Sequence, residues 1–120
     1  MTDVSIAEKT LRIEIKGWDK LWAFRRRLEI PVAHVTSVRA DPEIGKGPKG
    51  IRLLGTYVPR VITAGIFRQN GERIFWDVHH PERAVVIDLH NERYARIVVE
   101  VDDPPRTVNL LKNAISGLAA

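Results

Sequence analysis

The order of apolar and polar positions in the first third of the chain predicts short β-strands. Residues 11–16 alternate strictly between apolar and charged side chains, which is typical of a strand with one buried face. Trp18–Phe24 has its bulky side chains at helical spacing and predicts one or two helical turns. Arg27–Ile30 predicts a second strand that ends at Pro31, and His34–Ala40 predicts a third with a bulge or an irregular edge.

The second half of the chain has a more regular pattern of strands and turns. Asn70-Gly71 predicts a tight type I′ hairpin turn, because both residues tolerate positive φ. Turn residues recur at Pro81-Glu82 and at His90-Asn91-Glu92. The intervening segments predict an antiparallel meander of four strands: Ile62–Gln69, Arg73–His79, Val85–Leu89 and Ala95–Val101.

One helix is predicted at the C-terminus, from about Asp103 to Leu118. Asp103 is a suitable N-cap, and Pro104-Pro105 falls in the first turn, where a missing N–H is tolerated. An apolar stripe follows at helical spacing: Val108, Leu111, Ile115 and Leu118. Gly117 is expected to loosen or end the helix, and the stripe must pack on the sheet because a single helix cannot bury it alone.

The segment Asp41–Arg60 is dense in glycine and proline and predicts a long loop with a short ordered patch near Ile51–Leu54. Its run Gly45–Gly50 is not a phosphate-binding P-loop, because Ile51-Arg52 follows where that motif needs Lys-Ser or Lys-Thr. A loop of this length is often functional or mobile.

These elements together predict a mainly β fold with a C-terminal α-helix, as one domain over residues 1–120. The order of elements resembles the pleckstrin-homology-like (PH-like) family, in particular its bacterial branch. The resemblance rests on Leu28–Val35, on the hairpin Ile66–Trp76, and on Tyr94–Val101 running into Asp102-Asp103-Pro104. It implies an antiparallel barrel or roll of about seven strands that serves as a binding or assembly module.

The amino-acid composition excludes several kinds of site and segment. The chain has 120 residues and no cysteine, which excludes disulfides, thiolate catalysis and cysteine-ligated zinc. The N-terminus has neither the basic nor the apolar segment of a signal peptide, and no apolar run approaches the roughly 20 residues that span a bilayer. We therefore expect a cytoplasmic protein. We expect no cofactor.

A basic patch is the first candidate site. Arg25, Arg26 and Arg27 form the densest basic run of a chain whose net charge is +4. They could bind an anionic lipid surface or a phosphate ligand together with three later cations: Lys46, Lys49 and Arg52. Trp18 and Trp22 could anchor such a surface. The alternative is that both tryptophans belong to the core and the arginines are simply solvated.

A metal site is the second candidate. Asp77-Val78-His79 and Asp88-Leu89-His90 each place a carboxylate and an imidazole on one face of a strand. If the two strands were neighbours, Asp77, His79, Asp88 and His90 could hold a metal ion and support hydrolysis. The alternative is a solvated polar face of a one-sided sheet.

Binding to nucleic acid is a weaker variant of the basic-patch hypothesis. It would need exposed aromatic side chains, and Phe67, Phe75 and Trp76 are the candidates. No Gly-x-Ser-x-Gly element is present either, so nothing indicates a catalytic serine.

We therefore expect a non-enzymatic module that self-associates or binds a protein partner. A lipid or phosphate binder and a metal-dependent hydrolase are the alternatives.

Overall fold

The computed structural model describes residues 2–15, 27–44, 51–58 and 62–119. These residues form nine strands and one α-helix. The elements are β1 (Thr2–Ala7), β2 (Thr10–Ile15), β3 (Arg27–Pro31), β4 (Val35–Ala40), β5 (Ile51–Val58), β6 (Ile62–Gln69), β7 (Glu72–Val78), β8 (Ala84–Leu89), β9 (Arg96–Glu100) and α1 (Pro104–Ala119). Short 3-10 helices lie at Val32–His34 and Pro81–Arg83.

The strands form two sheets. One has three strands in the order β1-β2-β3, and the other has six in the order β4-β8-β9-β7-β6-β5. The predicted mainly β fold with a C-terminal helix is confirmed. The predicted four-strand meander is wrong, because β9 lies between β8 and β7 and pairs with β7 in parallel. The described strands do not close into a barrel.

Two tight turns set the register of the hairpins. Asn70 and Gly71 have φ of 54° and 80°, which confirms the predicted type I′ turn between β6 and β7. Glu8 and Lys9 also have positive φ, at 50° and 66°, and join β1 to β2. The sequence did not predict β1, because neither residue of this turn is a common turn former at positive φ.

The predicted loop Asp41–Arg60 is wrong over part of its length. Residues 51–58 form β5, which pairs with β6 along its whole length and has a register shift between Arg52 and Leu54. The predicted helical turns at Trp18–Phe24 and the glycine-rich run Gly45–Gly50 lie outside the described residues.

The six-stranded sheet is buried on both faces. One face packs with the three-stranded sheet and α1 around Phe75, Ile87 and Ile97. The opposite face carries a second cluster: Phe67, Ile74, Trp76, Val78, Ala84, Val86 and Val98. Burial on both faces explains the continuous apolar runs of β8 and β9, and it places all three candidate stacking aromatics in the core.

The C-terminal helix begins and packs as its sequence predicts. The Asp103 carboxylate accepts a hydrogen bond from the Arg106 N–H at 3.2 Å, as an N-cap side chain does. Val108 and Leu111 are buried, and the helix packs against β4 and Val32–His34. Of the two effects expected of Gly117, an end of the helix is not observed, because α1 continues to Ala119, one residue beyond the predicted end near Leu118.

Candidate interaction groove

A groove of about 330 Å³ runs along β3 on the side away from β2. We call it the Tyr94 groove. One wall is β3 and the other is the turn between β8 and β9. Its lining consists of Arg27, Leu28, Glu29, Ile30, Leu89, Glu92, Arg93 and Tyr94. Because β3 pairs only with β2 among the described strands, the groove lies on an open edge of the three-stranded sheet.

The register of the hairpins identifies the backbone groups that face this groove. The two-residue turn at Glu8-Lys9 closes on the pair Ala7 and Thr10, which is a hydrogen-bonded pair in this type of hairpin. Hydrogen-bonded pairs alternate along antiparallel strands. In β3, Leu28 and Ile30 therefore bond to β2, whereas the N–H and C=O groups of residues 27 and 29 point outward.

Tyr94 lines the groove and carries a buried polar atom. Its side chain is only 4% exposed, and its ring packs against Phe75 with 5.5 Å between the centroids. Within the described part of the chain, the Tyr94 hydroxyl has no hydrogen-bond partner. A buried hydroxyl without a partner costs free energy, so a hydrogen-bonding group that reached this hydroxyl would remove that cost.

The far wall of the groove is tied to the 3-10 helix at Val32–His34. The His90 N–H donates to the His34 carbonyl at 2.9 Å, and His90 Nε2 donates to the Ala33 carbonyl at 3.2 Å. The Nδ1 of His34 is in hydrogen-bond contact with Oε2 of Glu92. These three contacts hold the β8–β9 turn beside β3, so the groove is formed before any ligand binds.

Ion pairs cover the solvated face of β2 and β3. Arg27 lies 3.1 Å from Glu14 and 3.6 Å from Glu29, and Arg12 lies 3.8 Å from Glu29. Such exposed pairs contribute little to stability. They do compensate the charge of Arg27, the one member of the predicted basic patch whose side chain is among those described.

Of the other members of the basic patch, only Arg52 is among the described residues. Arg25, Arg26, Lys46 and Lys49 lie outside the described residues. Arg52 lies on β5, in the six-stranded sheet, whereas Arg27 is in the three-stranded sheet.

The four residues of the predicted metal site are not brought together. β9 separates β7 from β8, so the strands of Asp77 and Asp88 are not neighbours. Asp77 shares a sheet face with Phe75, in the first cluster, and Asp88 shares the opposite face with Val86. His90 contacts the Val32–His34 segment instead. Among the described residues, no group of three potential metal ligands is found.

Asp77 and Asp88 have structural partners. Thr2 Oγ1 donates to Asp77 Oδ2 at 2.6 Å, within the interior. Asp88 accepts hydrogen bonds from Arg96 at 2.7 Å and from Ser37 at 2.9 Å. Burial acts to raise the pKa of Asp88, but these hydrogen bonds and the charges of Arg96 and Arg39 lower it overall.

Glu100 is a buried carboxylate that the sequence analysis did not single out. Its Oε1 accepts the N–H groups of His79 and His80, both at 2.7 Å. Its Oε2 accepts a hydrogen bond from His80 Nδ1 at 2.8 Å. Burial acts to raise the pKa of Glu100, but these three hydrogen bonds and the nearby imidazole lower it overall. The arrangement fixes the backbone of the turn after β7 and orients the ring of His80.

At the far end of the six-stranded sheet, no other described strand pairs with the outer edge of β5. β5 is the last strand in the sheet order, and its sequence contains one charged residue, Arg52, and no proline. The opposite end of the sheet is β4, which α1 packs against.

Within the described residues, no helix has the length and apolar character needed to cross a bilayer. Comparison of the chain with protein-family models, with curated proteins and with solved structures found no match.

Proposed function

We propose that the protein is a non-enzymatic interaction module that self-associates through β5. The observation that supports this most directly is the outer edge of β5. Natural sheet edges are usually protected by charges, by proline, by a short strand or by a covering element. β5 has eight residues, with a single charged residue, Arg52, and no proline.

The pairing register indicates which amides of β5 are available. The turn at Asn70-Gly71 closes on the hydrogen-bonded pair Gln69 and Glu72. By alternation, the backbone groups of Ala64 and Ile66 bond to β5, and their partners there are Thr56 and Leu54. The N–H and C=O groups of Gly55 and Tyr57 therefore point outward. Antiparallel pairing of β5 with its copy would use these groups in a two-fold symmetric contact.

Proline at Tyr57 tests this proposal. Tyr57→Pro removes an outward N–H and leaves the hydrogen bonds between β5 and β6 intact, whereas Tyr57→Ala retains the amide. By sedimentation velocity over a range of protein concentrations, we expect the wild type and Tyr57→Ala to form a dimer. We expect Tyr57→Pro to remain monomeric at the same concentrations. A wild-type protein that is monomeric throughout, or a Tyr57→Pro variant that dimerises equally well, would contradict the proposal.

Membership of the PH-like family is the finer fold assignment that we propose. It is supported by the order of elements, which ends in a helix packed on the sheet, and it agrees with a role in binding or assembly. The assignment rests on the order of elements along the chain and not on the order of strands in the sheet, because β7 pairs with β9 in parallel and the predicted meander has no parallel pair.

Anionic-lipid binding has less support, because Arg27 is already paired with Glu14 and Glu29.

A further inference from the structure

We propose that the Tyr94 groove binds an extended polypeptide segment from a partner protein, which adds to β3 as a fourth strand of the three-stranded sheet. This site lies on the other sheet from β5 and does not depend on self-association. Three features carry the proposal: the outward backbone groups of β3, the fixed opposite wall and the buried hydroxyl of Tyr94.

The backbone of β3 favours a polypeptide over a small molecule. Residues 27 and 29 present two N–H and two C=O groups to the groove, at a repeat of about 6.8 Å, two strand residues apart. An extended peptide matches this repeat and satisfies all four groups, as in other cases of strand addition. β3 has five residues and ends at Pro31, which lacks an N–H, so the added strand is short.

The two faces of the groove define the side-chain pattern of the partner. In the partner segment, the residues opposite Arg27 and Glu29 lie on the solvated face of the sheet. On this face Glu29 pairs with Arg12, and Arg27 pairs with Glu14. The residue between them, opposite Leu28, points toward the core side, where Ile30, Leu89 and Tyr94 are buried. The partner segment is therefore polar, apolar, polar in sequence.

Tyr94 adds a specific polar contact on the apolar side. Its hydroxyl is buried without a partner among the described residues, and its ring is held by Phe75. A hydrogen-bond acceptor of the entering segment would satisfy this hydroxyl. Because the contacts of His34 and His90 already hold the far wall, little ordering is required on binding, which favours affinity.

Selection of peptides on the intact protein tests the proposal. A phage-displayed library of linear heptapeptides is selected on the full chain, and the enriched peptides are synthesised with blocked ends. We expect enriched sequences to alternate polar and apolar residues. Their binding should slow hydrogen exchange at the amides of Arg27 and Glu29. A library that yields no binder, or binders that leave these two amides unprotected, would overturn the proposal.

Two variants locate the binding site. Glu29→Pro removes an outward N–H, whereas the control Glu29→Ala loses the same side chain and retains the amide. We expect Glu29→Pro to weaken peptide binding by about tenfold or more relative to Glu29→Ala, since it loses a hydrogen bond and obstructs the added strand. Equal affinity of these two variants would overturn the proposal.

Tyr94→Phe provides a test that does not depend on a change in the backbone of β3. It removes only the hydroxyl, and we expect affinity to fall by about two- to tenfold. Tyr57→Pro, which alters the other sheet, should leave peptide binding unchanged. Loss of binding in Tyr57→Pro but not in Tyr94→Phe or Glu29→Pro would assign the peptide site to β5 and overturn the assignment to the Tyr94 groove.

Discussion

At the scale of single residues, Glu100 is a carboxylate that is buried beside a turn distant in the sequence. The alternation of β2 was enough to predict that Leu11 and Ile13 are buried. Nothing in the local pattern indicated that Glu100 is buried as well, because a carboxylate after an apolar strand usually faces water. Its environment depends on His79 and His80, which are distant in sequence, and only the sheet order brings them together.

The buried carboxylate of Glu100 should make stability dependent on pH. A carboxyl group whose pKa is lower in the folded state contributes stability above its unfolded pKa and loses that contribution as the pH falls through its folded pKa. Because the pKa of Glu100 is lowered from its ordinary value of 4.5, the contribution is present at pH 7 and decreases in acid. We expect Glu100→Gln to reduce the free energy of unfolding by about 1–3 kcal/mol at pH 7 and by less at pH 3.

Urea denaturation of Glu100→Gln and the wild type at both pH values measures this effect. The exposed Glu82 provides a control, since Glu82→Gln should change stability little at either pH. A deficit of Glu100→Gln that is the same at pH 7 and pH 3 would show that the lowered pKa of Glu100 does not contribute to folding.

At the scale of elements, turn chemistry decided which strands could be predicted. Asn70-Gly71 identified the hairpin of β6 and β7 because both residues suit positive φ. Glu8-Lys9 makes the same kind of turn without such residues, so β1 was not predicted. β5 was assigned to a loop because the glycines and prolines on both sides of it dominate the local pattern.

Alanine substitution at Gly71, in a β-turn, and at Gly117, in α1, should change the free energy of unfolding in opposite directions. Gly71 has φ of +80°, and a Cβ there would meet nothing within 4 Å, so the whole cost of Gly71→Ala is backbone strain. We expect it to lower the free energy of unfolding by about 1–2 kcal/mol. Gly117 is also surrounded by open space but lies within α1. Gly117→Ala should therefore raise the free energy of unfolding, by about 0.5–1 kcal/mol.

Chemical denaturation of the two alanine variants, side by side, measures both effects. The pair controls for the added methyl group, because neither Cβ has a close neighbour. If both variants lost stability, the gain in helix propensity at Gly117 would not apply so near the end of α1. If neither lost stability, the turn at Gly71 would tolerate a side chain at positive φ.

At the scale of the whole molecule, sheet order was the property that local patterns could not supply. The sequence predicted the hairpin of β6 and β7 and the pair β8 and β9, but not that β9 lies between β7 and β8. This order places Asp77 and Asp88 on opposite faces and removes the geometry that a shared metal site requires. The Tyr94 groove was missed for the same reason, because its two walls are β3 and a turn about sixty residues away.

Among the described residues, α1, the shared core and a buried hydrogen bond join the two sheets. α1 contacts β1 of the three-stranded sheet and both β4 and β8 of the six-stranded sheet. In addition, Thr2 Oγ1 on β1 donates to Asp77 Oδ2 on β7 at 2.6 Å. Both side chains are almost fully buried, at 2% and 1% exposure, so water cannot readily replace the lost donor.

Removal of the Thr2 hydroxyl should therefore weaken the assembly of the two sheets. Thr2→Val keeps the volume of the side chain and removes the donor to the buried Asp77 carboxylate, so we expect the free energy of unfolding to fall by about 1–3 kcal/mol. Thr2→Ser retains the hydroxyl and should lose clearly less. Urea denaturation compares the three proteins. Equal stability of Thr2→Val and the wild type would mean that α1 and the shared core hold the sheets together without this hydrogen bond.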